Sequence, residues 1–433
     1  MSELARNDYF KCLLESLPKA ATSASSWLNQ LRAHAVDQVS VQQFPSIRDE
    51  EWRFTDISPL TKLPYRPSQA ACHLQFSDIK PYCLDETSNR LVFVDGYYAP
   101  QLSHVTENEP MIVGNLAELI SPHSSAIQPH LGQYARIQDN VFTAFNTAFL
   151  HDGALIIIPK NGLVNNPIHL LFIATQEKVT SYPRCLLISE SGSRATLIED
   201  YVSLQEAPYI TNAVTEISLA DNAHVQHVRV QRDSKQAFHL ANCAVSLAKA
   251  SHYQSTSIAL GAQVSRYNLD VKHTDEATEC IIDGLTLITD RQLADTHTRI
   301  DHMKPNGTSR QQHKCIVDGT AHAVFNGKII VHPYAQRTNS SQSSRNLLLS
   351  NTAQVDTKPQ LEIFADDVKC AHGATVGQLD NEEIFYLESR GLSKITARNL
   401  LTYAFGAEII SKIPVTSLRH QLERIVLNQT QNS

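Results

Sequence analysis

Nowhere does this chain stay apolar for the ~20 residues that a membrane-spanning helix needs. Its longest candidates, 154–159 and 170–174, stop far short. No run of Lys or Arg suggests a nucleic-acid footprint. With 37 basic against 44 acidic residues, the interspersed charge nets −7. The opening M-S-E-L-A-R-N-D has neither the basic start nor the apolar stretch of a secretory signal, and it is not the Arg/Ser-rich, acid-poor texture of a transit peptide. A cytoplasmic protein is the expectation. The eight cysteines stand singly, at 12, 72, 83, 185, 243, 280, 315 and 370, with no C-x-x-C among them. A chain of 433 residues has core enough without disulfide staples, so free thiols in a reducing compartment are expected, most of them small buried hydrophobes. There is no G-x-x-x-x-G-K-S/T, no G-x-S-x-G and no H-E-x-x-H. The usual signatures of ATP hydrolysis, nucleophile-elbow hydrolysis and zinc proteolysis are therefore missing.

The first 150 residues read as an α-rich region. Ser25-Ser26 can cap a helix whose apolar positions Trp27, Leu28, Leu31, Ala35, Val36 and Val39 follow helical spacing, with Phe44-Pro45 as its stop. A proline-broken loop is expected from Pro59 to Pro67, a short strand over 91–95, and more helix within 115–150. Trp52 reads as a packing anchor.

From about Gly153 the texture changes. Short β-branched runs recur at 155–158, 169–173, 185–188, 214–219, 225–230, 280–282, 316–317 and 328–331. Asn161-Gly162, Asp283-Gly284, Asn306-Gly307, Asp318-Gly319 and Asn326-Gly327 look like turns between them. Nearly no convincing helix intervenes, so residues 151–376 read as all-β. C-I-I-D-G at 280–284 echoes C-I-V-D-G at 315–319, 35 residues on, which hints at a solenoid; short strands alone fit a sandwich equally.

Residues 377–433 read as three helices packed on the end of the β core. Asp380 caps the first, with Glu383 as its reciprocal partner and Gly391 as its stop. Ile384, Phe385, Tyr386 and Leu387 supply its apolar faces. Ser393 caps the second, which Pro414 closes, and Ser417 starts the third.

The junction between strand and helix is the most informative stretch. Cys370 and His372 stand two apart, and in a strand such residues share a face. A thiolate and an imidazole side by side form half of a site for zinc or iron-sulfur chemistry, and the other half must come from elsewhere in the fold or from another chain. Lys369 would face the opposite side. Asp366-Asp367 reads as a solvated turn and Glu382-Glu383 as helix-dipole chemistry. His313 and Cys315 repeat the spacing in reverse, His224 and His227 would point to opposite faces, and His297 and His302 are expected to bond within the β core.

D-D-V-K-C-A-H-G-A-T-V-G-Q-L-D, from Asp366 to Asp380, followed by F-Y-L-E-S-R-G, resembles the SufD proteins of the SufB/SufD family, which belong to the SufBCD iron-sulfur cluster assembly complex. So do Asp295-Thr296-His297, Ile300-Asp301-His302, Val324-Phe325-Asn326-Gly327, 346–350, 357–363 and the N-terminal E-W-R-F-T-D, Glu51 to Asp56. The likeness is dense from 295 to 391 and thin over the first 150 residues. It implies a right-handed parallel β-helix core flanked by an N-terminal α-rich and a C-terminal helical region. It implies a non-enzymatic subunit that pairs with a SufB-like β-helix protein, with Cys370 and His372 at that contact, where a transient Fe-S cluster or iron is held. No cofactor is expected to stay on the isolated chain. The helical end would dock a SufC-like ABC-type ATPase, with Glu388, Arg390 and Gly391 as contact residues. Removing everything after about Gly377 would lose the ATPase and leave a soluble β core. An aid to iron acquisition belongs to the same picture. SufB-like chains carry an N-terminal C-x-x-C cluster and acidic residues where this one has K-C-A-H-G.

Three other readings stay open. A SufB-like scaffold would work as a homodimer. A β-helix carbohydrate-active enzyme would need a groove of carboxylates and basic residues. A Cys–His hydrolase would need a reactive Cys370.

Overall fold

The computed structural model describes residues 13, 15, 16, 26–62, 65–70, 73–106, 109 and 111–431. The expected cap at Ser25 lies outside them, as do Cys12 and Cys72. Strand outweighs helix, 41% against 23%, and the strands wind into a β-solenoid of about eight turns. Successive strands alternate between two sheets. The first sheet runs from Ala154–Ile158 through Arg184–Ser189, Ile210–Leu219, Phe238–Leu247, Val264–His273, Leu293–His302 and His322–Val331 to Gln354–Ile363. The second runs from Asn89–Val94 through Ile168–Ala174, Arg194–Ser203, His224–Arg232, His252–Ala259, Glu279–Ile288, Thr308–Val317 and Asn339–Leu348 to Lys369–Gly377. These neighbours are parallel and in register, so each side chain stacks on its equivalent one turn away. The β-branched runs named above all fall within strands.

The repeat differs from the sequence echo. A turn takes 26 residues from Phe238 to its partner Val264 and 32 from His322 to Gln354. Cys280 stacks on Ser309, and Cys315 on Thr286, so the two C-I-x-D-G segments are out of register. Two of the five expected turns are also mid-strand. Asn161 and Asn306 do adopt left-handed backbone in turns, and Gly319 likewise. Gly284 and Gly327 instead face the lumen. A Cβ on Gly284 would lie 2.2 Å from His313 Nδ1, and one on Gly327 would lie 1.9 Å from Gln342 Nε2. Gly284 makes room for His313, its partner on the next strand of the same sheet, and Gly327 for Gln342 on the facing sheet.

The N-terminal region covers the outer face of the first sheet. Helix Ser26–Val41 buries Leu28, Ala35 and Val39. Ala35 and Val39 join Val141, Phe142, Phe145 and Trp52 in one cluster with Ile210, Phe238, Leu240 and Val264. A buried ion pair ties the layers: Arg184 meets Glu216, whose carboxylate also accepts backbone N–H bonds from Gly132, Tyr134 and Ala135 at 2.8–3.1 Å. The same region closes the first end of the solenoid. Ile112–Asn115 adds antiparallel to Ala154–Ile158, and Tyr97–Tyr98 antiparallel to Asn89–Val94. The segment expected as proline-broken loop holds a short helical turn at Ser58–Lys62 and a two-residue strand, Arg66–Pro67.

The C-terminal helices are Asn381–Ser389, Lys394–Ile410 and Thr416–Gln431. Their caps agree with the sequence in part. Asp380 accepts from Glu382 N at 2.8 Å, and Ser393 from Thr396 N at 3.1 Å. Gly391 N donates to Glu388 O and Leu392 N to Leu387 O, with Gly391 at φ +92°, a Schellman close. Their placement is different from the one expected. Ile409, Ile410, Ile413, Leu418, Leu422 and Val426 pack on Ile198, Val228, Val230, Ile258, Leu285 and Leu287. The helices therefore lie along the outer face of the second sheet and do not cap its end. Lys314 with Glu408, and Lys412 with Asp283 at 2.6 Å, pin them there. Among the described helices none is long and apolar enough to cross a membrane.

Candidate functional site

The last rung is bare. Gln354–Ile363 and Lys369–Gly377 end their sheets, and along Lys369–Gly377 every residue is exposed except Cys370, which is half-buried. Among the described residues, each of these strands leaves one edge of N–H and C=O groups without a ladder partner.

Register fixes where Cys370 and His372 point. Cys370 ends an interior row that runs Ala195, Val225, Tyr253, Cys280, Ser309, Ser340. It packs against the lumen core. His372 ends the row Leu197, His227, Ser255, Ile282, Gln311, Gln342. Thiol and imidazole thus share the lumen face, as the strand spacing requires. Cys370 is turned inward and His372 is open to solvent. Partial burial pushes the Cys370 thiol up, against a Ser340 backbone N–H that favours the thiolate. Among the described residues no three His, Cys, Asp or Glu side chains come together to hold a metal ion. The donor set suits a soft metal but supplies only part of its shell.

Around this pair the end carries exposed apolar side chains: Ile363, Phe364 and Val376 on the rung, Phe385 and Tyr386 on the first C-terminal helix. The sequence placed Phe385 and Tyr386 on packed faces. In the fold only Ile384 of that helix is buried, and the aromatics are 72% and 57% exposed. Glu388, Arg390 and Gly391 are exposed on the same helix end. Arg390 lies over the Tyr386 ring at 5.3 Å, and Gly391 serves the helix stop.

The other candidates separate cleanly. Lys369 stacks on Asn339 and faces outward. Asp366 and Asp367 are exposed in the turn before the last strand. His313 and Cys315 both face the lumen, where burial pushes the imidazole down to about 4 and the thiol up to about 12, a neutral pair. His227 is buried while His224 lies on the outer face. His302 does bond within the solenoid, to Ser309 Oγ at 2.9 Å. His297 does not stay within it: it faces out and joins Asp295 at 3.0 Å to Glu51 of the N-terminal region at 3.3 Å. Arg266 completes this junction, reaching Asp295 at 2.6 Å and lying 4.0 Å over the Trp52 ring. Trp52 is the anchor expected. The largest cavity described, about 480 Å³, adjoins this junction on the outer face of the first sheet, with Asp270, Lys272, Arg299 and Lys328 on its floor. It is on a different face from Cys370 and His372.

Two family models match the chain. Residues 172–405 match the SUF system FeS cluster assembly, SufBD core domain, and residues 4–170 match the SufBD protein N-terminal region. An iron-sulfur cluster assembly SufBD family protein of Synechocystis is 38% identical over 97% of this chain and 95% of its own length. The iron-sulfur cluster assembly protein SufD of Escherichia coli is 33% identical over 94% of this chain and 97% of its own. The SufD of Bacillus subtilis is 24% identical over 93% of each. With two family models meeting near residue 171 and together spanning nearly its whole length, this chain belongs to the SufBD family of iron-sulfur cluster assembly proteins.

Proposed function

We propose that this chain is a non-catalytic, SufD-type subunit whose bare last rung pairs with a SufB-like β-helix protein. Between the two chains a nascent Fe-S cluster is built as cargo, with Cys370 and His372 as this chain's ligands. The observation that carries the reading is the contrast at that end. A solenoid normally protects its terminal strands, yet here both final strands are uncovered and the two soft donors stand on their inner face. A partner sheet would complete the ladder, cover Ile363, Phe364 and Val376, and add the missing ligands. A site split between chains also opens when they part, which lets the cluster leave.

The exposed Phe385, Tyr386, Glu388 and Arg390 form the surface we assign to a SufC-like ABC-type ATPase. Its motion would reach the last rung through the short link 378–380. His372→Ala, purified anaerobically with its partners, is expected to keep the complex and lose iron and acid-labile sulfide. Wild-type iron and sulfide in that variant would sink the ligand assignment. Recovery of the chain alone or self-paired from its native extract would move the homodimeric scaffold to the front.

A further inference from the structure

The interior row that ends at His372 holds an unpartnered acceptor one rung below it. Gln342 is 3% exposed. Its Nε2 donates to Gln311 Oε1 at 2.7 Å, and Gln311 Nε2 donates to Thr298 Oγ1 at 2.7 Å. Thr298 Oγ1 lies within hydrogen-bond distance of both amide atoms of Gln311, 2.7 Å from Nε2 and 3.1 Å from Oε1. Gln342 Oε1 is left buried with no partner. Across the lumen the amide sits hard against Gly327, in the space a Cβ there would occupy. The ladder places His372 on the same face one rung further out. Directly stacked side chains in a parallel ladder are neighbours about 4.8 Å apart.

We propose that Gln342 is a positioning residue for His372. Its Oε1 accepts the N–H of one ring nitrogen and leaves the lone pair of the other turned out of the open end, toward incoming iron. A neutral imidazole has one donor and one acceptor, so fixing the donor fixes the tautomer. Metal-binding histidines are commonly held this way by an acceptor behind the ring. Thr298, Gln311 and Gln342 form the chain that supports it, anchored in turns that stay packed whether or not a partner is docked. The inference rests on the reading of His372 as a ligand.

The test uses the full chain without iron, labelled with 15N in the histidine rings, with His372→Asn to assign the signal. In the wild type His372 is expected in a single tautomer. In Gln342→Met, of similar length but without the oxygen, its two nitrogen signals should converge toward the average of a free imidazole. Gln342→Glu, which keeps an oxygen facing the ring, should restore a single tautomer. Averaged signals in the wild type would overturn the proposal, whatever the variants do. So would a single tautomer that persists in Gln342→Met. The measurement needs no cluster, so it is separable from the ligand reading. A His372→Ala complex with normal iron sinks that reading and leaves the tautomer result standing, while an averaged tautomer sinks this one alone.

Discussion

The two ends of the solenoid are built differently. At the first end, short antiparallel strands blunt both sheets. The lumen there is filled by Leu91, Phe93, Ile168, Leu170 and Phe172, all nearly inaccessible. At the last end no strand is added among the described residues, and the second sheet's side of the lumen turns polar, through Ser309, Gln311, Ser340, Gln342 and Ser344 to Cys370 and His372, while Ile363 and Val376 stay exposed on the rung. An apolar lumen left open would be an aggregation surface. A polar one tolerates water until a partner arrives. The difference teaches that the bare end is not an unfinished core. It is a surface that can be wet or covered.

The largest way to break the comparison is to remove cover where the fold does need it. The outer face of the second sheet is apolar, at Ile198, Val228, Val230, Ile258, Leu285 and Leu287, and the second and third C-terminal helices bury it. Truncation after Gly377 exposes all of it at once. The sequence-based expectation of a soluble β core is therefore revised: the truncated chain should pass into the insoluble fraction. Soluble, monomeric truncated protein on a sizing column would show that the helices are dispensable, and the outer face would then resemble the tolerant last rung.

A single-residue pair sharpens the comparison. Leu170→Ala, in the sealed part of the lumen, should cost about 2–5 kcal/mol because it leaves a cavity that cannot collapse. Val376→Ala, on the last rung and 49% exposed, should cost less than about 0.5 kcal/mol in the isolated chain. Urea unfolding of the two variants reads the difference. Equal losses would mean that the last rung is packed in solution, by self-pairing or otherwise.

The shared face of Cys370 and His372 was legible in the sequence because it depends on a local rule. Two residues apart in a strand share a face, whatever the fold around them, so Cys370 and His372 could be paired before any sheet was known. The helix ends were legible for the same reason, since Asp380, Ser393 and Gly391 cap within a few residues. The repeat was hidden because each turn fills its interior rows with a different size. One row reads Ala195, Val225, Tyr253, Cys280, Ser309, Ser340, and what fits is complementary volume, not identity. Asp283-Gly284 and Asn326-Gly327 misled because a glycine that makes room for a lumen side chain, from the next strand at Gly284 and from the facing sheet at Gly327, looks like a turn in one dimension. Nor could helical periodicity tell which face the C-terminal helices would cover. Lys314 and Arg184, charged residues inside strands, gave no hint that their partners would come from helix Lys394–Ile410 and from a neighbouring strand.

The smallest expected effect concerns the strap that joins the N-terminal region to the later turns. Glu51, within the helical turn Glu50–Trp52, meets His297, while Glu50 reaches Lys358 on the final strand of the first sheet at 2.8 Å. Burial works against a charged His297 ring, but the Asp295 and Glu51 carboxylates outweigh it and raise its pKa, with Arg266 opposing. A group whose folded pKa is raised contributes stability below its unfolded value, and that stability is lost as pH rises through the folded one. Asp295 and Glu51 are themselves held low, so they stay ionised across the histidine range. His297→Gln should therefore be less stable than the wild type at pH 6, by an amount of order 1 kcal/mol, and the gap should narrow toward pH 8.5. Thermal unfolding at the two pH values reads it. A gap that stays constant would mean that the ring holds the strap by shape and hydrogen bonds, with its charge contributing nothing.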